Sequence, residues 1–208
     1  MLSSVDYAAL LQYSPRGNSD VSSKSRKVTN TIKAGRIETF RKRISEITSE
    51  NKQILSPFLN EDITLIPAPR SSPIRGTDLW PALEICKLLA SLQLGAIAPC
   101  LIRTEAIRKS SLYYSADKRP SVQEQYDSMS VENYVPTENI TLIDDVLTLG
   151  RTSIAGASRL AEKFPNATIR VFALIRTMGF VPDVDNILNV QIGTITFNDF
   201  SGKCTRNP

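Results

Sequence analysis

The stretch ITLIDDVLTLGRTS, residues 140 to 153, brings together groups that can hold a phosphorylated ligand. Asp144 and Asp145 end an apolar run. Adjacent carboxylates at a strand end accept hydrogen bonds from a sugar diol, or hold a divalent ion through water. Buried without such a partner, they would be costly. Val146, Thr148, Leu149, Gly150, Arg151 and Thr152 follow, in a short loop that opens a helix from Ser153. The unpaired N–H groups of a helix start and the helix dipole both favour an anion. Gly150 lets the backbone turn tightly and approach a ligand. Thr148 and Thr152 add hydroxyl donors, and Arg151 adds a full charge. A diol reader beside a phosphate cradle suggests a phosphorylated ribose. The plainer reading is an N-cap loop flanked by two solvated acids.

The chain has no histidine, which removes Ser-His-Asp hydrolysis, histidine zinc sites and histidine acid–base catalysis. Its three cysteines, Cys86, Cys100 and Cys204, are odd in number and widely spaced. They fit reduced thiols of a cytoplasmic protein better than a disulfide framework or a zinc site. At 41% hydrophobic and 22% charged residues, the 208-residue chain has an ordinary globular composition. No stretch reaches the roughly 20 apolar residues of a membrane helix, so no membrane partner is expected. The first residues, MLSSVDYAALLQYSPRG, lack the basic start of a signal peptide.

The net charge of +4 is unevenly spread: KSRKVTNTIKAGRIETFRKR, residues 24 to 43, holds eight Lys or Arg and one acid. Ile37, Phe40, Ile44 and Ile47 recur at helical spacing, which predicts one amphipathic helix from about Asn30 to Glu50. Its basic side, with Lys33, Arg36, Arg41 and Arg43, is either a solvated face or a contact to nucleic acid.

The elements that must position these groups read as an α/β fold. Residues 1 to 23 look irregular, with Pro15, Gly17 and several serines. A strand over Ile63–Ile66 runs into PAPRSSPIRG, and a helix over Asp78–Leu94 follows, with Leu79, Leu83, Cys86 and Ala90 on one face. Ala96–Ile102 is a second strand, and residues 104 to 135 form a long polar excursion. A strand over Ile140–Ile143, a helix over Ser153–Phe164 and a strand over Thr168–Ile175 complete the pattern, with a strand or two in the tail. Apolar strands alternating with helices predict a doubly wound, mostly parallel sheet with helices on both faces. In such sheets ligands bind beyond the carboxyl ends of the strands.

The 140–153 stretch resembles the ribose-5-phosphate signature of type I phosphoribosyltransferases, which use phosphoribosyl pyrophosphate (PRPP). That signature is an apolar strand, two acids and a V-x-T-T-G-x-T loop. The chain matches it at Asp144, Asp145, Val146, Thr148, Gly150 and Thr152, and departs at Leu149, where a second threonine is usual. LIPAPRSSPIRGTDLWPALEICKLL resembles the P-V-P, basic, R-G, helix order of the ComF-like branch, as LIRTEAIRKS and KRPSVQEQ resemble its basic loop. The likeness covers about Ile63 to Thr177.

It implies a type I phosphoribosyltransferase core over residues 61 to 177. Residues 1 to 60 would be a helical N-terminal extension, and 178 to 208 a C-terminal extension or hood over the acceptor. It implies a pyrophosphate loop with Arg70, Ser71, Ser72 and Arg75, for which a solvated proline-rich turn is the plainer account. Lys109 and Arg119 would come from a closing loop over 108 to 119, whose Tyr113 and Tyr114 either cover a base or pack on the core. Asp144 and Asp145 would serve catalysis and, through water or PRPP, Mg2+. The activity implied is transfer of ribose 5-phosphate to a nitrogenous acceptor with release of pyrophosphate, by a homo-oligomer. The other reading is a non-catalytic relative that senses nucleotides or works with nucleic acid or a DNA-binding partner, in DNA uptake or defence. Either terminus is long enough to be the hood.

Overall fold

The fold is described from a computed structural model, over residues 1–108, 119–179 and 181–208. In chain order the elements are β1 (Ser4–Tyr13), α1 (Asp20–Lys33), a 3-10 turn (Ile37–Phe40), α2 (Arg41–Glu50), α3 (Lys52–Leu55), β2 (Thr64–Pro67), α4 (Pro81–Ser91), β3 (Ala96–Ile97), β4 (Leu101–Arg103), α5 (Val122–Asp127), β5 (Met129–Val131), β6 (Asn139–Leu147), α6 (Arg151–Lys163), β7 (Thr168–Thr177), β8 (Leu188–Asn198) and β9 (Lys203–Asn207). The chain is an α/β protein built on a seven-stranded sheet of order β3-β2-β6-β7-β1-β8-β9. From β3 to β1 neighbouring strands run parallel; β8 and β9 add an antiparallel edge. β4 and β5 form a separate antiparallel ribbon.

Helices cover both faces of the sheet. On one, Ile154, Ala157 and Leu160 of α6 pack on Ile140 and Leu142 of β6 and on Val171. On the other, Ile32 of α1, Ile44 and Ile47 of α2, and Ile85 and Leu89 of α4 pack on Ile143, Phe172 and Leu174. This is why β6 and β7 read as continuous apolar runs: both faces are buried.

Several expectations need correcting. Residues 4 to 13 are not irregular but form β1, which pairs with β7 on one side and β8 on the other. The basic segment is not one helix. α1 ends at Ala34, where Gly35 takes φ +71°. There the amide of Gly35 donates to Ile32 O (2.9 Å) and that of Arg36 to Thr31 O (3.2 Å), a Schellman stop. The apolar stripe then restarts, with Ile37, Ile44 and Ile47 all buried. The expected strand over 96 to 102 is two strands in different sheets. The polar excursion contains α5, held by a capping box between Ser121 and Glu124, and β5. α4 buries Ala82, Ile85, Cys86, Leu88 and Leu89, whereas Leu79 lies outside it, 46% exposed.

Candidate functional site

The order of the strands singles out one place. From β2 the chain crosses through α4 to β3 on one side; from β6 it crosses through α6 to β7 on the other. The winding therefore reverses between β2 and β6, and the crevice beyond the carboxyl ends of those two strands is the topological switch point. The two loops singled out in the sequence both start there. The backbones meet where Ala68 N–H donates to Ile143 O at 2.7 Å, just before Asp144.

β6 runs through both acids to Leu147, so Asp144 and Asp145 stand at its carboxyl end. Both are half-buried. Asp145 N–H donates to Asp144 Oδ1 at 2.9 Å. Burial pushes the Asp144 carboxyl well above its ordinary range, and the neighbouring Asp145 charge adds to the effect. Thr148, Leu149 and Gly150 then turn the chain into α6, which starts at Arg151, two residues earlier than expected. Gly150 caps the helix at φ +86°, a conformation natural to glycine. A Cβ there would lie 2.6 Å from Ile195 Cγ2 of β8, so the loop is pressed against the C-terminal hairpin. The hydroxyls of Thr148 and Thr152 make no hydrogen bond among the described residues. Arg151 Nη1 lies 3.2 Å from the carbonyls of Arg119 and Pro120. It therefore ties the chain before α5 to the loop.

In the loop after β2, the amides of Arg70, Ser71 and Ser72 donate to no acceptor among the described residues. Two side chains that the sequence did not mark fix this loop by its carbonyls. Trp80 Nε1 donates to Ala68 O at 2.7 Å, and Arg103 Nε donates to Arg70 O at 2.8 Å. Arg103 also binds Gln125 through its backbone and side-chain oxygens, and Ser128 Oγ. Burial lowers the Arg103 guanidinium to about 10. Arg70 Nη1 sits 3.0 Å from Asp78 Oδ2, close enough to attract but not aligned for a hydrogen bond. That pair reduces the charge Arg70 offers a ligand, while Arg75 is exposed. A cavity of about 290 Å³ lies beside the loop, lined by Arg70, Ser72, Trp80, Arg103 and Glu132 among others.

The Trp80→Phe variant should keep the ring and lose the donor, leaving the buried Ala68 carbonyl unsatisfied. We expect a loss of about 1–2 kcal/mol, read from urea unfolding followed by circular dichroism.

Lys109, Tyr113 and Tyr114 lie outside the described residues. Of the flanking positions, Arg119 contributes its carbonyl to Arg151, and Arg108 pairs with Glu124 at 2.8 Å on the surface. The basic segment packs on the face opposite α6. Lys33 and Arg36 are exposed. Arg41 is clamped by Glu38 and Arg43 by Glu46. Arg26 is turned inward to the carbonyls of Ser14 and Gly17.

The C-terminal strand, not the basic segment, touches the 147–149 loop. Arg206 Nη1 donates to Leu147 O at 2.9 Å, and Cys204 Sγ approaches Leu149 O at 3.2 Å. Burial raises the Cys204 thiol to about 11, so it stays protonated as a donor. Tertiary packing alone reveals these partners, since each lies over fifty residues from the carbonyl it meets.

Among the described residues no three acidic or cysteine side chains converge to hold a metal. Asp144 and Asp145 would fit Mg2+ only as outer supports, with ligand oxygens completing its shell, the usual habit of that ion. Fold and site together define an α/β protein with two loops meeting at the switch point of its sheet, each carrying backbone amides without an acceptor among the described residues. No protein-family model matches the chain, and no curated protein matches it in sequence. No helix among the described residues is long and apolar enough to cross a membrane.

Proposed function

We propose that the chain is a type I phosphoribosyltransferase that binds PRPP with Mg2+ in the β2–β6 crevice and transfers ribose 5-phosphate to a nitrogenous acceptor. The observation that carries this reading is the juxtaposition at the switch point. Two loops about eighty residues apart in sequence, each with open donors, flank two acids at the end of one strand. The ribose 5-phosphate takes the amides and hydroxyls of Thr148 to Thr152, at the positive end of α6. The ribose hydroxyls take Asp144 and Asp145. The pyrophosphate takes the amides of Arg70 to Ser72, with Arg75 nearby.

The chemistry needs no histidine. The bond from C1 to pyrophosphate loosens, positive charge builds on the ribosyl ring, and the acceptor nitrogen attacks. The acids stand where a sugar ring would develop that charge, and the open amides stabilise the departing oxyanion. Mg2+, when bound, neutralises pyrophosphate charge as a Lewis acid. β8 and β9, set against the Leu147–Gly150 loop, serve as the hood.

Isothermal titration with PRPP should give saturable binding in Mg2+, weaker when EDTA removes the ion. Pyrophosphate release should follow when a panel of bases is added. Absence of PRPP binding at millimolar concentration with Mg2+ would sink the proposal.

A further inference from the structure

Arg176 and Arg206 stand together near the carboxyl ends of β6 and β7. Arg176, at the end of β7, lies level with Leu147 of β6 and Gln12 of β1, and is 5% exposed. Its Nη2 donates to Gln12 Oε1 (3.2 Å) and Asn189 Oδ1 (2.9 Å), and its Nη1 to Asn189 O (3.4 Å). Arg206 reaches back from β9. Its Nη2 donates to Thr177 O at 2.8 Å, the carbonyl next in chain to Arg176, and its Nη1 to Leu147 O. Its guanidinium carbon lies 6.0 Å from the ring centre of Tyr7, which is 1% exposed. Beside them the hydroxyl of Thr177 is buried with no partner.

Every partner of the two arginines is neutral, and neither makes an ion pair among the described residues. Burial lowers the pKa of both guanidinium groups, and the Arg206 charge lowers that of Arg176 further. Arg103 shows a structural arginine in the same chain. It is buried too, but it stands alone and anchors a loop and a helix through four acceptors. Arg176 and Arg206 also bond structural acceptors, but as two like charges set together they repel each other, which Arg103 does not face. An anion held between them would offset that repulsion and the cost of burying the charges. The planar guanidinium fork matches a carboxylate in two-point contact.

We propose that Arg176 and Arg206 hold a carboxylate carried by the nitrogenous acceptor, with the Thr177 hydroxyl as a further donor. This rests on the phosphoribosyl reading, which already assigns the phosphates of PRPP to the loops after β2 and β6. The pair lies beside the second loop, where Arg206 bonds Leu147 O, and its anion is assigned to the acceptor rather than to PRPP.

The test compares acids with neutral twins: nicotinate with nicotinamide, and orotate with uracil. Thermal unfolding midpoints are measured at low chloride, with Mg2+, with and without PRPP. At least one acid should raise the midpoint saturably while its neutral twin does not, and added chloride should suppress the shift. Arg206→Gln and Arg176→Gln should weaken that acid by about 10- to 100-fold. Equal shifts from acid and twin, or no shift from any acid, overturn the proposal in the wild-type chain alone, even where a variant fails to fold. An acid shift that survives both substitutions also overturns it, as does a loss of PRPP affinity in Arg176→Gln, since among the described residues the Arg176 side chain bonds only Gln12 and Asn189 and not the phosphate loop; that loss would give the pair to a phosphate. PRPP is titrated separately. PRPP binding without acid binding defeats this inference only. Acid binding without PRPP binding defeats the transferase reading and keeps the carboxylate site.

Discussion

Changing Asp144 and Asp145 together to asparagine should greatly weaken PRPP–Mg2+ binding while making the ligand-free protein more stable. The two effects have one origin. Burial and the Asp145 charge hold the Asp144 carboxyl above its ordinary pKa of 3.8. As pH rises past that value, an unfolded chain releases the proton that the folded chain still keeps. Folding stability from this group therefore falls as pH climbs from the ordinary value to the raised one, and stays low above it. Asparagine removes the penalty. The gain should be about 0.5–2 kcal/mol near neutral pH, the range typical when a functional strain is relieved, and it should vanish toward pH 4. The loss in binding is larger. Hydrogen bonds to charged groups contribute about 1.5–3 kcal/mol each, so losing two should weaken PRPP by about 10²–10⁴-fold. Titration calorimetry measures the second effect, and thermal unfolding across pH 4 to 8 the first. Unchanged PRPP affinity would remove the ribose assignment. Parallel stability curves for variant and wild type would remove the buried-charge account of Asp144.

The sequence displayed the chemistry of this site better than its architecture. Strand, acids, loop and helix over 140 to 163 are contiguous, so local patterning exposed them. β1 was hidden for the opposite reason. It is central and buried on both faces, and SVDYAALLQY lacks the alternation that marks a half-buried strand. Pro15, Gly17 and the serines beyond Tyr13 belong to a connection of a few residues, yet they coloured the whole segment. The break in the basic segment was written as Ala34-Gly35, a helix stop that the continuing apolar stripe concealed. The supports of the site were beyond reach. Arg103 meets Arg70 across 33 positions, Arg206 meets Leu147 across 59, and Arg176 meets Gln12 across 164. No pattern along the chain encodes such pairings; they exist only once the sheet order is set.

The second large effect is expected at Gly150, where alanine should impair both folding and binding. Two penalties add there. The residue sits at φ +86°, and placing a side-chain-bearing residue in that region costs about 1–2 kcal/mol. The new Cβ would also fall 2.6, 2.8 and 2.9 Å from three atoms of Ile195, a residue with no exposed surface. Forcing an extra carbon into a packed core costs about 1–3 kcal/mol more. Gly202 separates the two, since it has φ +65° with nothing within 4 Å of its built Cβ. Gly202→Ala should lose only the backbone share, and the difference between the variants, read from urea unfolding, measures the contact with Ile195. Ile195→Ala will itself destabilise the chain, but Gly150→Ala made on that background should cost no more than Gly202→Ala. PRPP affinity should drop in Gly150→Ala, because the clash displaces the backbone whose amides hold the phosphate, and should be unchanged in Gly202→Ala. Equal costs at the two glycines would mean that β8 does not brace the loop, and the hood would then have to be sought elsewhere in the chain.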